Sequence, residues 1–422
     1  MTTTTRTRST REIAASAVPA AILGVLSGLA LIGLSALAGQ LEHVLWDWLP
    51  ESLGTGGDNG WWIFGMLTAV GATVGLVIWK LPGHAGPDPA TEGLIATPLP
   101  ITVVPSLALA LVLCLAGGVS LGPENPIIGI NVAIAVWLMH RLLPKVPPEF
   151  GLIVAVSGTI GAMFGTPVAA ALVLTEMKQM HERGLLWDNL FPPLVAAGAG
   201  GITMYLLEGE SLSVALPPLG PPGWADLLFG VVVALAAALL AMGALYLFDP
   251  VHRLFHRLPN PLITLTVGGT VLGGLGAIYG EISLFKGLTQ MQELAATASD
   301  YSTGDLFGLA VVKLAAMVVA ATAGFRGGRI FPVIFVSVAF GLGVSALFPS
   351  VPPALAVGCA ILGIVLVVSR DGWMALFLAA AIVGDVHLLP LLCLTVLPVW
   401  LLVAARPDMV AKPAAGHEGA PA

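Results

Sequence analysis

Apolar runs of about 20 residues, the length a helix needs to cross a bilayer, recur along almost the whole 422-residue chain. They number about a dozen, several of them short or interrupted by glycine and proline. The runs are continuous rather than alternating, which predicts spanning helices and not a β-barrel. The first two predicted spans are residues 14–37 and 61–81; between them, residues 40–60 carry Glu42, Asp47, Glu51 and Asp58 and no lysine or arginine. Lys80 ends the second span, the cluster His252, Arg253, His256 and Arg257 follows a later one, and Arg406 and Lys412 follow the last. The positive-inside rule puts these basic ends on the cytoplasmic side and the acidic loops at 40–60 and 208–226 outside. The organisation read from this pattern is a disordered cytoplasmic tail at 1–12, a membrane repeat at 13–207, a linker at 208–226, a second repeat at 227–405 and a disordered cytoplasmic tail at 406–422. Both termini then lie in the cytoplasm, with the protein in the plasma (inner) membrane.

The two halves share a pattern. A shift of 206 residues brings Pro126 onto Pro332 and Gly122 onto Gly328, and 115–138 then faces 321–344. Each segment reads as apolar helix, glycine-rich break, proline, apolar helix. Corresponding broken spans in two halves are the sequence mark of a midplane substrate site in inverted-repeat transporters.

Composition narrows the class. Charged residues make up 10% and hydrophobic residues 57% of the chain, whereas a soluble domain carries about 25% charged residues. A net charge of −7 gives no reason to expect a nucleic acid partner. Cys114, Cys359 and Cys393 are far apart in apolar segments with no metal-ligand spacing, and read as small core residues. No metal or cofactor motif is present, and the partners expected are an inorganic anion, protons and the lipid bilayer.

The strongest candidate for chemistry is Leu121-Gly122-Pro123-Glu124-Asn125-Pro126, between the apolar runs 101–118 and 127–143. A carboxylate at the bilayer centre costs on the order of 2.5–3.5 kcal/mol on insertion scales, so it is a functional candidate by default. Gly122, Pro123 and Pro126 break the helix, and irregular backbone at that depth needs protein or a cavity around it. The helix that resumes offers free amides and a positive dipole end to an anion. Burial and those amides pull the ionisation of Glu124 in opposite directions, which suits a group that switches charge.

These residues resemble the motifs of the CLC family of anion channels and anion/proton antiporters. Gly122-Pro123-Glu124-Asn125-Pro126 resembles the family's G-(K/R)-E-G-P, whose glutamate is outer gate and proton acceptor. Gly327-Gly328-Arg329-Ile330-Phe331-Pro332 resembles G-x-F-x-P, whose amides hold the ion, and Ala85-Gly86-Pro87-Asp88-Pro89 with Glu92-Gly93 resembles G-S-G-I-P with its trailing E-G. The stretch from Phe164-Gly165-Thr166-Pro167 to Glu176-Met177 is similar to the one whose glutamate handles protons on the inner side. The resemblance spans roughly residues 15–405 and implies an all-α polytopic fold of two inverted repeats with broken, tilted helices, assembled as a homodimer. It assigns Glu124 and Glu176 to gating and protons, and Gly86, Pro87, Gly122, Pro123, Arg329, Ile330 and Phe331 to the anion. Two hydroxyls of the family pattern are missing: Gly86 stands at the serine, and Asp385-Val386, the possible inner gate, at the tyrosine. Chloride is the default anion. A passive channel, or a carrier of another ion on the same fold, stays open.

Single residues carry further expectations. Arg326 and Arg329 flank a helix start, where a cation opposes the dipole, so the permeant anion, Glu124 or Asp88 should compensate them. Asp88 reads as a helix-start cap, and His181, His252 and His256 as topology charges in basic loops. An intramembrane enzyme using Glu124 with Arg326 or His140 is the reading from another class, but no nucleophile or metal motif supports it, and the chain is not expected to be an enzyme.

Overall fold

A computed structural model describes residues 10–94, 97–176, 186–209 and 212–412. Met177, Lys178, His181 and Arg183, together with the tail residues 1–9 and 413–422, lie outside the described residues. Among the described residues, sixteen α-helices run in chain order: α1 Thr10–His43, α2 Leu49–Ser52, α3 Gly60–Lys80, α4 Val104–Ala116, α5 Glu124–Leu142, α6 Pro148–Phe164, α7 Pro167–Thr175, α8 Leu186–Leu207, α9 Trp224–Phe255, α10 Pro261–Tyr279, α11 Leu288–Ala296, α12 Thr303–Ala323, α13 Ile330–Leu347, α14 Pro353–Ser369, α15 Gly372–Val383 and α16 Leu388–Val403. Among the described residues, eight helical spans are long and apolar enough to cross a membrane, and five shorter apolar helices accompany them. The protein is therefore an integral membrane protein of all-α class.

The chain divides into two compact units. The first comprises Met1–Leu37, Ile95–Val104 and Pro126–Leu212, and the second comprises Ala38–Leu94, Pro105–Asn125 and Ser213–Ala422. In the first unit, α6 and α8 approach through small residues: a Cβ on Gly161 would strike the backbone of Ala197, and one on Gly200 that of Gly158. Membrane helices associate by such close packing because lipid supplies no hydrophobic drive between them. Asn131 binds the Thr159 hydroxyl at 2.8 Å in the same unit, a buried polar pair that fixes register. In the second unit α3 and α10 pack the same way, Gly71 against Leu265 and Gly273 against Phe64.

The repeat is visible in the backbone. Gly118 and Gly324, 206 positions apart, both take positive φ (78° and 93°) just beyond α4 and α12, where glycine alone escapes the Cβ penalty. Helix resumes at Glu124 in one segment and at Ile330 in the other, again 206 apart. The helices that follow, α6 and α14, are each 17 residues long, begin after a proline and end on a left-handed residue, Gly165 or Arg370.

Two expectations need correction. The acidic stretch after residue 40, read as a loop, stays helical through a π-turn at Val44–Trp48 and then α2 to Ser52, because buried Trp46 anchors it by a 2.9 Å bond from its indole to the Ala116 carbonyl. The segment after Arg406, read as a disordered tail, is held over residues 408–411. Met409 and Ala411 are buried, the Ala411 amide binds the Ala90 carbonyl at 2.8 Å, and Asp408 pairs with Arg370 at 3.1 Å.

Candidate functional site

The two broken helices of the repeat meet within the second unit. The Gly122 amide donates to the Gly328 carbonyl at 2.9 Å and the Gly328 amide returns a bond to Gly122 at 2.7 Å, a single antiparallel bridge. Alignment of the two halves puts these same glycines in register.

Glu124 opens α5 beside this bridge and is fully buried. Its Oε1 accepts a 2.7 Å bond from the Phe331 amide, in the first turn of α13, where the N–H groups point out of the helix; this length is typical of a charge-assisted bond. The Ile330 amide and the Arg329 charge also act on the carboxylate. Its Oε2 is buried with no hydrogen-bond partner among the described residues. The absence of side chains at Gly122 and Gly328 makes room for it, since a Cβ on either would run into the carboxylate. The structure thus brings Gly122, Pro123, Glu124, Ile330 and Phe331 together, all of them buried. The carboxylate thus sits at a helix start, the kind of backbone end that also binds free anions, with one oxygen unsatisfied.

The break at Gly86–Pro89 is built differently. Gly83, His84, Ala85 and Gly86 all have positive φ, between 50° and 80°, and the turn turns its carbonyls toward Arg326. That guanidinium donates to the carbonyls of Ala85 (2.7 Å), His84 (3.2 Å), Gly86 (2.8 Å) and Gly324 (2.9 Å). A helix N-terminus was expected at this break. Only the three-residue turn Pro89–Thr91 forms, because Gly93, Pro98 and Pro100 stop any helix from continuing. Pro87, next in line, is part of this irregular stretch.

Arg329, the residue preceding α13, donates to the Met409 carbonyl and to that of Glu92 (3.3 Å), and lies over the Phe248 ring at 5.2 Å. Both arginines were expected to find a carboxylate or an anion. Their hydrogen bonds go to carbonyl oxygens, while the expected acids act on them through charge, Asp88 on Arg326 and both Glu124 and Asp88 on Arg329.

Asp88 caps the Pro89–Thr91 turn through a 2.9 Å bond from the Ala90 amide, as its position predicted. Its other oxygen faces His252 (2.9 Å) and His256 (3.2 Å). His252 is therefore not a solvated loop charge, being 3% exposed inside α9, whereas His256, just beyond the helix, is 37% exposed. Burial by itself would raise the Asp88 pKa, but the bonds from His252, His256 and the Ala90 amide together hold it well below the usual carboxylate range. The bond to Asp88 raises the His256 pKa. The H-x-x-x-H spacing was legible in the sequence; its carboxylate partner, 164 positions away, was not.

The remaining candidates lie elsewhere. Glu176 is exposed at the end of α7 in the first unit. Asp385 binds the amides of Leu219 (2.7 Å) and His387 (2.9 Å), bonds that lower its pKa, and Val386 beside it is 72% exposed. Sequence reading missed Lys313, fully buried in α12 and donating to the carbonyls of Ser283 (3.0 Å), Leu284 and Phe285 (2.7 Å).

Comparison with known proteins agrees with this architecture. A family profile described as "Voltage gated chloride channel" matches residues 60–401. The "Putative ion-transport protein YfeO" of Escherichia coli strain CFT073 is 50% identical over 393 residues, covering 93% of this chain and 94% of that protein. Among solved structures, a CLC-type fluoride/proton antiporter superposes with a TM-score of 0.76 at 18% identity, over 94% of this chain and 97% of that one. A slow cyanobacterial Cl-/H+ antiporter gives 0.77 at 18% identity, over 92% and 94%. The chain belongs to the voltage-gated chloride channel (CLC) family of anion-transporting membrane proteins.

Proposed function

We propose that the protein carries a small inorganic anion past the Phe331 amide, with Glu124 as gate and proton acceptor, in exchange for protons. The observation that carries this reading is the Glu124 carboxylate itself: one oxygen on the Phe331 amide at 2.7 Å and the other buried without a partner. In this reading the carboxylate holds the place of the transported ion. Protonation removes its charge, weakens its hold on the amide and lets it leave, and the incoming anion then takes the bond. Gly122, Pro123, Ile330 and Phe331 shape the place, and Arg329 supplies positive potential beside it. Gly86 and Pro87 act at one remove, through the Arg326 clamp, and Asp385 and Val386 stay candidates for the inner gate. Glu176 is the second proton-handling carboxylate. The related antiporters exchange chloride or fluoride, and chloride is the first anion to test. The working assembly is a homodimer in the plasma membrane with cytoplasmic termini, acting as a transporter and not as an enzyme.

The test is anion flux from liposomes with proton movement followed in parallel, for the wild type, Glu124→Gln and Glu176→Gln. An anion gradient should drive proton uptake in the wild type. Either substitution should lower that uptake by at least about tenfold, equivalent to about 1.4 kcal/mol, and Glu124→Gln should also flatten the pH dependence of flux. Anion flux that drives no proton movement in the wild type would leave a passive channel gated by Glu124.

A further inference from the structure

We propose that Asp88, His252 and His256 form a binding site for a divalent transition-metal cation of the zinc class. One ligand atom from each of these side chains lies within 4.8 Å of the others. Asp88 Oδ2 is 2.9 Å from His252 Nε2 and 3.2 Å from His256 Nε2. Two imidazoles thus aim the same nitrogen at one carboxylate oxygen. Their i,i+4 spacing at the end of α9 brings the rings together, stacked with centroids 3.9 Å apart and planes inclined by 29°.

The hydrogen bonds around the cluster fix which nitrogen of His256 faces its centre. His256 Nδ1 lies 3.0 Å from the His252 carbonyl, which can only accept, so the Nδ1 proton belongs to that bond. Nε2, the nitrogen facing Asp88 Oδ2 at 3.2 Å, is then the ring atom left for a ligand at the centre of the cluster. A single divalent ion satisfies both rings and the carboxylate together. An outer carbonyl that fixes the tautomer of a ligating histidine is a regular feature of metal sites.

The surroundings agree. The end of α9 carries the negative pole of the helix dipole, which favours a cation. His252 forms a dry wall, while the His256 side chain is 37% exposed and leaves the water-facing side for a further ligand. Arg326, whose charge acts on Asp88, is engaged by four carbonyls. Two nitrogens and one oxygen suit zinc, cobalt or nickel, whereas calcium and magnesium want oxygen ligands throughout. Metal–ligand bonds of about 2.0–2.2 Å require only that the three groups draw slightly apart. A bound ion would fasten the Gly86–Asp88 break to α9.

The experiment uses the full chain, purified in detergent and stripped of metal. Cobalt is titrated while its visible absorption is followed, then displaced with zinc, and thermal unfolding is recorded with and without zinc. The expected result is one cobalt per chain with the intense visible bands of a low-coordinate nitrogen–oxygen site, displaced by zinc, and a melting temperature that rises with zinc. His256→Gln, on the water-facing side, should fold and lose at least tenfold in affinity, and Asp88→Asn should do the same. His43→Gln, at the exposed His43–Asp47 pair, should bind as the wild type does. Failure of the wild type to bind cobalt in stoichiometric amount, or binding that survives His256→Gln, overturns the proposal and leaves the cluster as a hydrogen-bonded clasp. Neither outcome depends on which ion the protein transports.

Discussion

Two acids stand beside two broken helices in the second unit, and they are treated in opposite ways. Asp88 is satisfied on both oxygens, one by the Ala90 amide and the other by two histidines. Glu124 is more deeply buried, yet one of its oxygens has no hydrogen-bond partner among the described residues. The backbones follow suit: the Asp88 break points carbonyls at Arg326, and the Glu124 break points an amide at the carboxylate. A buried polar atom without a partner costs about 1–3 kcal/mol. A fold that satisfies Asp88 fully and leaves Glu124 half satisfied has one acid that holds structure and another that, in the function proposed, exchanges its partner for an ion.

The largest effect on this contrast should come from Arg326. Arg326→Ala removes the donor from two buried and two part-buried carbonyls, at a cost of about 3 kcal/mol or more, and should lower the melting temperature in detergent sharply. Arg326→Lys should recover only part of the loss, since an ammonium lacks the planar fork. Equal stability for Arg326→Ala and the wild type would mean that the Asp88 break does not depend on this clamp. Next comes Gly328→Ala, whose Cβ falls where the Glu124 carboxylate lies. Such overpacking costs about 1–3 kcal/mol, and anion flux should drop about tenfold, which about 1.4 kcal/mol accounts for. Flux unchanged by the added methyl would show that the carboxylate has no need of the glycine cradle.

The smallest effect concerns pH and the Asp88 cluster, read in the presence of a chelator as the difference in melting temperature between the wild type and His256→Gln. A raised imidazole pKa contributes stability that is full below the ordinary value of about 6.5 and is lost as pH rises through the folded value. The depressed Asp88 contributes stability that is full above about 3.9 and lost as pH falls through its own folded value. The difference should therefore be greatest in mildly acidic solution and shrink as the medium becomes alkaline. A difference that grows with pH would mean that the Asp88–His256 bond is not charge-assisted.

Much of the Glu124 side of this comparison was legible in the sequence. Pro126 and Pro332 set the register that pairs Gly122 with Gly328, and the apolar runs gave the helices, because burial in lipid writes itself into composition. On the Asp88 side the cap was legible, but its partners were not. Its contacts join residues 164 and 240 positions apart, and nothing local distinguishes a proline-rich turn that offers carbonyls from one that starts a helix. His252 and His256 read as topology charges because their neighbours are Arg253 and Arg257. Met409 and Ala411 alternate as an extended, half-buried strand of chain does, but three residues are too few to stand out in an alanine- and proline-rich tail.

The most direct measurement locates a heavy halide. Crystals of the wild type and of Glu124→Ala, grown with bromide, can be compared by anomalous scattering. If the carboxylate occupies the ion's place, removing it should put a bromide peak within hydrogen-bond reach of the Phe331 amide, between Gly122 and Gly328, at greater occupancy than in the wild type. An empty cradle in Glu124→Ala, with bromide bound only at a distance from that amide, would contradict the account.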